Sequence, residues 1–128
     1  MTQIPENLKY TRSHEWVLLE AAGTYLMGIT DHAQALLGDV VYVELPEVGK
    51  TFTANAGCGV VESVKAAADV YAPVAGTVVA VNEDLNQQPE LMNTDPYGKG
   101  WLCRFQPEDP AALNQLMDAK AYETSIND

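Results

Sequence analysis

Residues 57–74 read GCGVVESVKAAADVYAPV, two β-prone runs that flank a single lysine. The runs 57–64 and 69–74 are rich in valine, a residue that favours strands. Lys65 and three alanines separate them, which is a spacing typical of an antiparallel hairpin. We therefore predict a hairpin over about 57–76 with Lys65 at its tip, its side chain standing clear of the body of the protein.

Lys65 allows two interpretations. It is the only basic residue between Lys50 and Lys99, and a lone lysine in a turn is commonly a solvated charge. Its small neighbours, however, leave room for another protein to reach the amine. An amine on a long stem is nucleophilic once it is deprotonated. The hairpin therefore also fits a lysine that becomes acylated.

Strands and short helices are predicted on both sides of this hairpin. Thr30 or Asp31 can cap a short helix that stops at Gly38, and the apolar residues after Pro107 have helical spacing. We expect a single, mostly β domain over residues 1–128. The predicted elements are strands at 16–19 and 25–29, a helix at 30–38, strands at 40–45, 76–82 and 101–105, and a C-terminal helical segment at about 107–125.

The charge of the chain limits its partners. Eighteen acidic and seven basic residues give a formal net charge of −11, which disfavours nucleic acid and anionic membrane surfaces. No apolar run approaches the roughly 18 residues of a membrane span, and the first residues lack the pattern of a signal peptide. We expect a cytoplasmic protein, or one in an organelle matrix if the source is eukaryotic.

The histidines and cysteines offer a different kind of chemistry. His14, His32 and nearby carboxylates could form a metal site, which would suggest a small metal-dependent hydrolase. His14-Glu15 begins like a zinc-protease motif, but position 18 is leucine where a second histidine is needed. Cys58 and Cys103 are interpreted as buried small apolar residues.

Seven short segments of the chain together form a recognisable pattern. They are SHEW (13–16), GITDHAQ (28–34), LGDVV (37–41), ELPEVG (44–49), ESVKA (62–66), YAPVAG (71–76) and PYGKGW (96–101). Because these segments occur together and in this order, the chain resembles the glycine cleavage system H-protein family. This resemblance implies a barrel-sandwich hybrid of the biotinyl/lipoyl-carrier type, with two small sheets packed face to face.

The resemblance implies a carrier that is not itself an enzyme. Lys65 would hold lipoate in amide linkage. A P protein containing PLP would load the aminomethyl group of glycine, a T protein would pass the one-carbon unit to tetrahydrofolate, and a flavin-dependent L protein would reoxidise the dithiol. Lipoate-attaching enzymes would be further partners, and we expect a monomer. Alternatively, the chain would be a relay that donates lipoate to other lipoyl enzymes from the same lysine.

The family's other functional residues map onto named positions. The resemblance implies that Ser13, Glu15 and Asp69 hold the loaded arm in a surface cleft; otherwise Ser13 is a turn cap and the two carboxylates are exposed charges. His32 either lines this cleft or makes a hydrogen bond at the helix start. Glu62 either helps a lipoate-attaching enzyme recognise the hairpin or points to solvent. The family often has a hydroxyl residue where this chain has Ala68.

Overall fold

The computed structural model describes residues 2–127 and contains two antiparallel sheets. The larger sheet has the strand order β1-β2-β3-β9-β8-β5, and the smaller one has the order β4-β6-β7. The strands are β1 (Lys9–Tyr10), β2 (Glu15–Leu19), β3 (Tyr25–Ile29), β4 (Val40–Glu44), β5 (Thr51–Phe52), β6 (Gly57–Ser63), β7 (Ala67–Tyr71), β8 (Gly76–Val81) and β9 (Cys103–Pro107).

Short helices lie around these sheets. The α-helices are α1 (Asp31–Leu37), α2 (Leu91–Thr94) and α3 (Ala119–Ile126), and 3₁₀ helices span Glu83–Asn86 and Pro110–Gln115. The mostly β fold with two small sheets, short helices and a C-terminal helix is confirmed, and the sheets do not close into a barrel.

The two sheets share one apolar core. Val43, Val61 and Val70 of the smaller sheet are buried in the same cluster as Met27 and Phe105 of the larger sheet. Because successive residues of a strand face opposite sides, every second residue of each strand can reach this core. Full burial of such side chains contributes about 1.5–3 kcal/mol each and holds the sheets together.

The predicted hairpin is formed by β6 and β7, with Glu62 paired to Ala67 beside the turn. Ser63 closes the turn: its N–H donates to the carbonyl of Ala66 (2.7 Å), and its hydroxyl oxygen accepts from the N–H of Ala66 (3.1 Å). The turn is also bonded to a residue outside the hairpin, since the N–H of Val64 donates to the carbonyl of Asp39 (3.1 Å). The tip is therefore tied to the segment between α1 and β4.

The predicted short helix is α1. The hydroxyl oxygen of its N-cap, Thr30, accepts from the N–H of Ala33 at 3.2 Å. Gly38 ends the helix with φ of 84°, a conformation that glycine adopts without a steric penalty. The two capping residues inferred from the sequence thus fix both ends of a helix of only seven residues.

The C-terminal helix is shorter than the predicted segment 107–125. Met117 is extended and pairs with Tyr10 through two backbone hydrogen bonds of 2.8 and 2.9 Å. Asp118 then caps a new helix by accepting from the N–H of Ala121 (2.8 Å). Backbone pairing and a second cap therefore divide the segment into a 3₁₀ helix and α3.

Among residues 2–127, no helix combines the length and the apolar character needed to cross a membrane.

A close approach at Gly28 predicts the effect of one added methyl group. A Cβ at this position would lie 2.8 Å from the indole nitrogen of Trp16, a fully buried ring that donates to the carbonyl of Pro96. We expect Gly28→Ala to lower the free energy of unfolding by about 1–3 kcal/mol in urea titrations. Gly57→Ala is the control, since its Cβ would meet nothing within 4 Å. Equal loss in both variants would contradict the steric explanation.

Candidate functional site

A cleft of about 200 Å³ lies between α1 and the β6–β7 hairpin. Its walls are largely apolar, and it contains three of the predicted site residues, Ser13, Glu15 and Asp69. The remaining residues that line it come from the turn before β2, from β3, from α1 and from the hairpin: His14, Ile29, Ala33, Leu36, Leu37, Val61, Ala68 and Val70. The sequence had suggested these three polar residues together, and the fold brings them to one place.

Glu15 is the buried polar group of the cleft, with 1% of its surface exposed. One carboxylate oxygen accepts from the hydroxyls of Thr11 (2.5 Å) and Ser13 (2.6 Å). The other accepts from the backbone N–H of Tyr71 on β7 (3.3 Å). Glu15 is therefore neither an exposed charge nor a free acceptor, because two hydroxyls of the turn before β2 and one backbone N–H of β7 donate to it.

Burial dominates the electrostatics of this carboxyl group. Removal from water raises the pKa of Glu15, and the hydrogen bonds from Ser13, Thr11 and Tyr71 lower it by less. Within residues 2–127 the salt bridge present joins Arg104 to Glu20, so Glu15 has no cationic partner within 4 Å there. A cation that entered the cleft would meet a carboxylate already held in place.

Lys65 is exposed at the tip. Contrary to the prediction, however, the stem of its side chain does not stand clear of the protein. Its Cε lies 3.4 Å from the point where a Cβ of Gly38 would sit, so the stem rests against the end of α1. The bond between Val64 and Asp39 brings the tip to this position. Leu37 precedes Gly38 and lines the cleft, so the lysine lies beside one end of it.

His14 and His32 meet beside the cleft, with ring centroids 4.9 Å apart. His14 lines the cleft. His32 is not among the residues that line it, contrary to one of its two interpretations, and its ring lies beside that of His14. Burial, and to a lesser extent His32, lowers the pKa of His14. No group of three or more His, Cys, Asp or Glu side chains placed to hold a metal is found in residues 2–127, so the hydrolase hypothesis gains no ligand set there.

Glu62 lies outside the cleft. It is exposed on β6, opposite Tyr42 of β4 and Ala67 of β7. Both interpretations of Glu62 require exposure, and this position meets that requirement.

The two cysteines are buried and free, as the sequence indicated. Burial raises the pKa of Cys58 to about 12 and raises that of Cys103 as well. Both thiols therefore stay protonated at neutral pH and play no part in the cleft.

The sequence analysis missed Thr11 and the N–H of Tyr71 as partners of Glu15. The sequence carried no periodic signal for these partners, because residues 11–14 form a turn, closed by the N–H of His14 on the carbonyl of Thr11 (3.2 Å), that brings Thr11 and Ser13 to Glu15. The apolar wall formed by Leu36 and Leu37 had no signal either, since it depends on how α1 packs against the hairpin.

The cleft is suited to a flexible chain that is apolar along its length and cationic at its end. An apolar chain would pack against Ile29 and Leu37, and an ammonium group would pair with Glu15 through charge-assisted hydrogen bonds. The Lys65 side chain beside Gly38 is exposed and ends in an amine. A lysine at a hairpin tip beside a sheltering cleft is typical of a carrier protein with a covalent arm.

Comparisons with known proteins identify the family. A sequence model of the family described as Glycine cleavage H-protein matches residues 8–128. Glycine cleavage system H proteins of Klebsiella pneumoniae and Alkalilimnicola ehrlichii are each 56% identical to this chain over 128 residues, covering all of it and 99% and 98% of their own lengths. The chain belongs to the glycine cleavage H-protein family, whose members bear lipoate.

A solved structure agrees with this assignment. The crystal structure of a glycine cleavage system H protein from Mycobacterium marinum superposes with a TM-score of 0.87 and is 41% identical in sequence. The match covers 97% of this chain and 99% of that chain. Fold and family therefore agree over nearly the whole length.

The buried carboxyl of Glu15 predicts the sign of a pH dependence. Because burial raises its pKa above the ordinary value of 4.5, the folded protein holds this proton more tightly than the unfolded chain does. The stabilisation from Glu15 is therefore complete below pH 4.5 and is lost as the pH rises through the folded pKa. Relative to Glu15→Gln, we expect the wild type to lose stability in urea titrations as the pH rises above 4.5 and through the folded pKa of Glu15.

The comparison with Glu15→Gln isolates this one group. His14 and Asp69 also titrate or carry charge beside the cleft, but both are present in the wild type and in the variant. Parallel pH profiles of the two proteins would contradict a raised pKa at Glu15.

Proposed function

We propose that this protein is the lipoyl-carrying shuttle of the glycine cleavage system, with lipoate in amide linkage on Lys65. The observation that supports this proposal is the cleft that begins beside the Lys65 stem and contains a buried carboxyl group without a cation in residues 2–127. When bound, lipoate supplies a dithiolane that accepts a group on sulfur, is reduced and is reoxidised.

The residues of the cleft hold and shield the cargo. The ammonium end of an aminomethyl group pairs with Glu15 in its ionised form, because the cation offsets the cost of a buried charge. Ser13 keeps the carboxylate oriented, and exposed Asp69 adds a second acceptor at the opening. The side chains of Ile29 and Leu37 cover the apolar length of the arm and keep water from it.

The exposed tip serves the partners. The decarboxylating P protein with PLP loads the arm, the T protein with tetrahydrofolate unloads it, and the FAD-containing L protein reoxidises the dithiol. Lipoate-attaching enzymes recognise the tip with the help of Glu62, which is exposed three residues before Lys65. The chain acts as one monomeric carrier domain over residues 1–128, without catalysis of its own, in the cytoplasm or an organelle matrix.

Lys65→Arg tests the attachment site. Arginine keeps the positive charge but has no amine that forms this amide, and the exposed side chain contributes little to folding. We expect the wild type, incubated with lipoate and a lipoate–protein ligase, to gain the mass of one lipoyl group, mapped to Lys65 by peptide analysis. The variant should remain unmodified, with an unchanged thermal transition. Modification of another lysine instead would contradict the proposal.

Glu15→Gln separates the shuttle from the lipoate relay, which needs the lysine but not the cleft. We expect the variant to accept lipoate normally and to release the loaded aminomethyl group about tenfold faster, because a charge-assisted hydrogen bond becomes a neutral one. Glu44→Gln is the matched control, since it removes the same charge from an exposed strand residue outside the cleft. Equal release rates in all three proteins would favour the relay.

A further inference from the structure

The hydroxyl of Tyr122 occupies an unusual place between the cleft and the C-terminal helix. Tyr122 is fully buried on α3, and its ring stacks on Tyr10 with centroids 4.7 Å apart and planes 7° apart. Its oxygen lies 2.8 Å from Nδ1 of His14 and 2.7 Å from Oγ1 of Thr30. One buried hydroxyl therefore contacts two residues that are not otherwise joined through their side chains.

Oγ1 of Thr30 accepts from the N–H of Ala33, and either hydroxyl can be the donor in the 2.7 Å contact between Thr30 and Tyr122. Where the Tyr122 hydroxyl donates to Nδ1 of His14, the imidazole is neutral with its proton on Nε2. Burial favours this neutral form by lowering the pKa of His14, and burial raises the pKa of Tyr122 to about 12.

His14 and Thr30 lie side by side, just before β2 and just after β3, and the backbone N–H of Thr30 donates to the carbonyl of His14 (3.0 Å). His14 lines the cleft together with Ser13 and Glu15, and its φ is 72°. Such a conformation costs a non-glycine residue free energy and persists where its surroundings hold it. Thr30 caps α1, whose Ala33 and Leu37 also line the cleft.

We propose that Tyr122 is a positioning residue of the arm cleft: its hydroxyl, bonded to Nδ1 of His14 and to Oγ1 of Thr30, fixes the imidazole of His14, which lines the cleft beside Glu15. This inference rests on the proposed function, because it assigns the hydroxyl to the cleft that shelters the loaded group. The C-terminal helix thereby influences the cleft through the Tyr122 hydroxyl, although Tyr122 does not line the cleft.

The ring and the hydroxyl of Tyr122 can be tested separately. Tyr122→Phe removes the oxygen and leaves the stacked ring. Tyr10→Phe is a matched control from the same stack, since it removes a buried hydroxyl that donates to the carbonyl of Pro5 (2.6 Å). Tyr10→Phe loses one hydrogen bond and Tyr122→Phe loses two, and only Tyr122→Phe loses one to a residue that lines the cleft.

The first readout uses the chain without its arm. We expect nitrogen-15 NMR of His14 to show the Nε2–H form in the wild type and in Tyr10→Phe. In Tyr122→Phe the Nδ1 resonance should shift, because the nitrogen loses its donor. A Nδ1 resonance that is the same in all three proteins would overturn the inference, and a general loss of stability would not produce a shift confined to Tyr122→Phe.

The second readout is release of the aminomethyl group from the loaded protein. We expect Tyr122→Phe to release it about two- to tenfold faster, the range for loss of one neutral hydrogen bond, and Tyr10→Phe to match the wild type. If Glu15→Gln accelerates release but Tyr122→Phe does not, the positioning role is wrong and the proposed function stands. If neither variant accelerates release, the proposed function fails and this inference fails with it.

Discussion

The carboxyl group of Glu15 joins the two sheets of this protein across their shared core. It belongs to β2 of the larger sheet, and it accepts from the N–H of Tyr71 on β7 of the smaller one. A buried charge is unfavourable unless donors replace the water that it loses. Thr11, Ser13 and Tyr71 replace part of that water, and the raised pKa shows that the replacement is incomplete. A cation that bound beside Glu15 would therefore stabilise the ionised form of its carboxyl group.

A carrier must meet two opposed requirements, and α1 serves both. The attachment amine has to be reachable by several enzymes, whereas the cargo at the far end of the arm has to be kept from water. Gly38 at the end of α1 supports the stem of Lys65, and Ala33 and Leu37 of the same helix form a wall of the cleft. One seven-residue helix thus contacts the exposed Lys65 stem at its end and lines the cleft along its length.

The sequence predicted what depends on neighbours along the chain. Two valine-rich runs around Lys65 indicated the hairpin, and Thr30 and Gly38 indicated the ends of α1, whereas only the family resemblance pointed to Ser13, Glu15 and Asp69. It did not predict features that depend on segments meeting in space. Met117 ends the expected helix early because it pairs with Tyr10, more than a hundred positions away. The bond from Tyr122 to His14 and the apolar wall of α1 likewise arise only when the chain has folded.

The burial of the two cysteines has a consequence for a family whose members bear lipoate. Lipoate in its oxidised form is a cyclic disulfide, and a thiolate within the same molecule could open it to a mixed disulfide by exchange. Only thiolates attack in this way. Cys58 and Cys103 are the only cysteines of the chain, both are buried, and the pKa of each is raised. The protein therefore offers a disulfide-bearing arm no reactive thiol of its own, and the redox state of such an arm is left to enzymes that it visits.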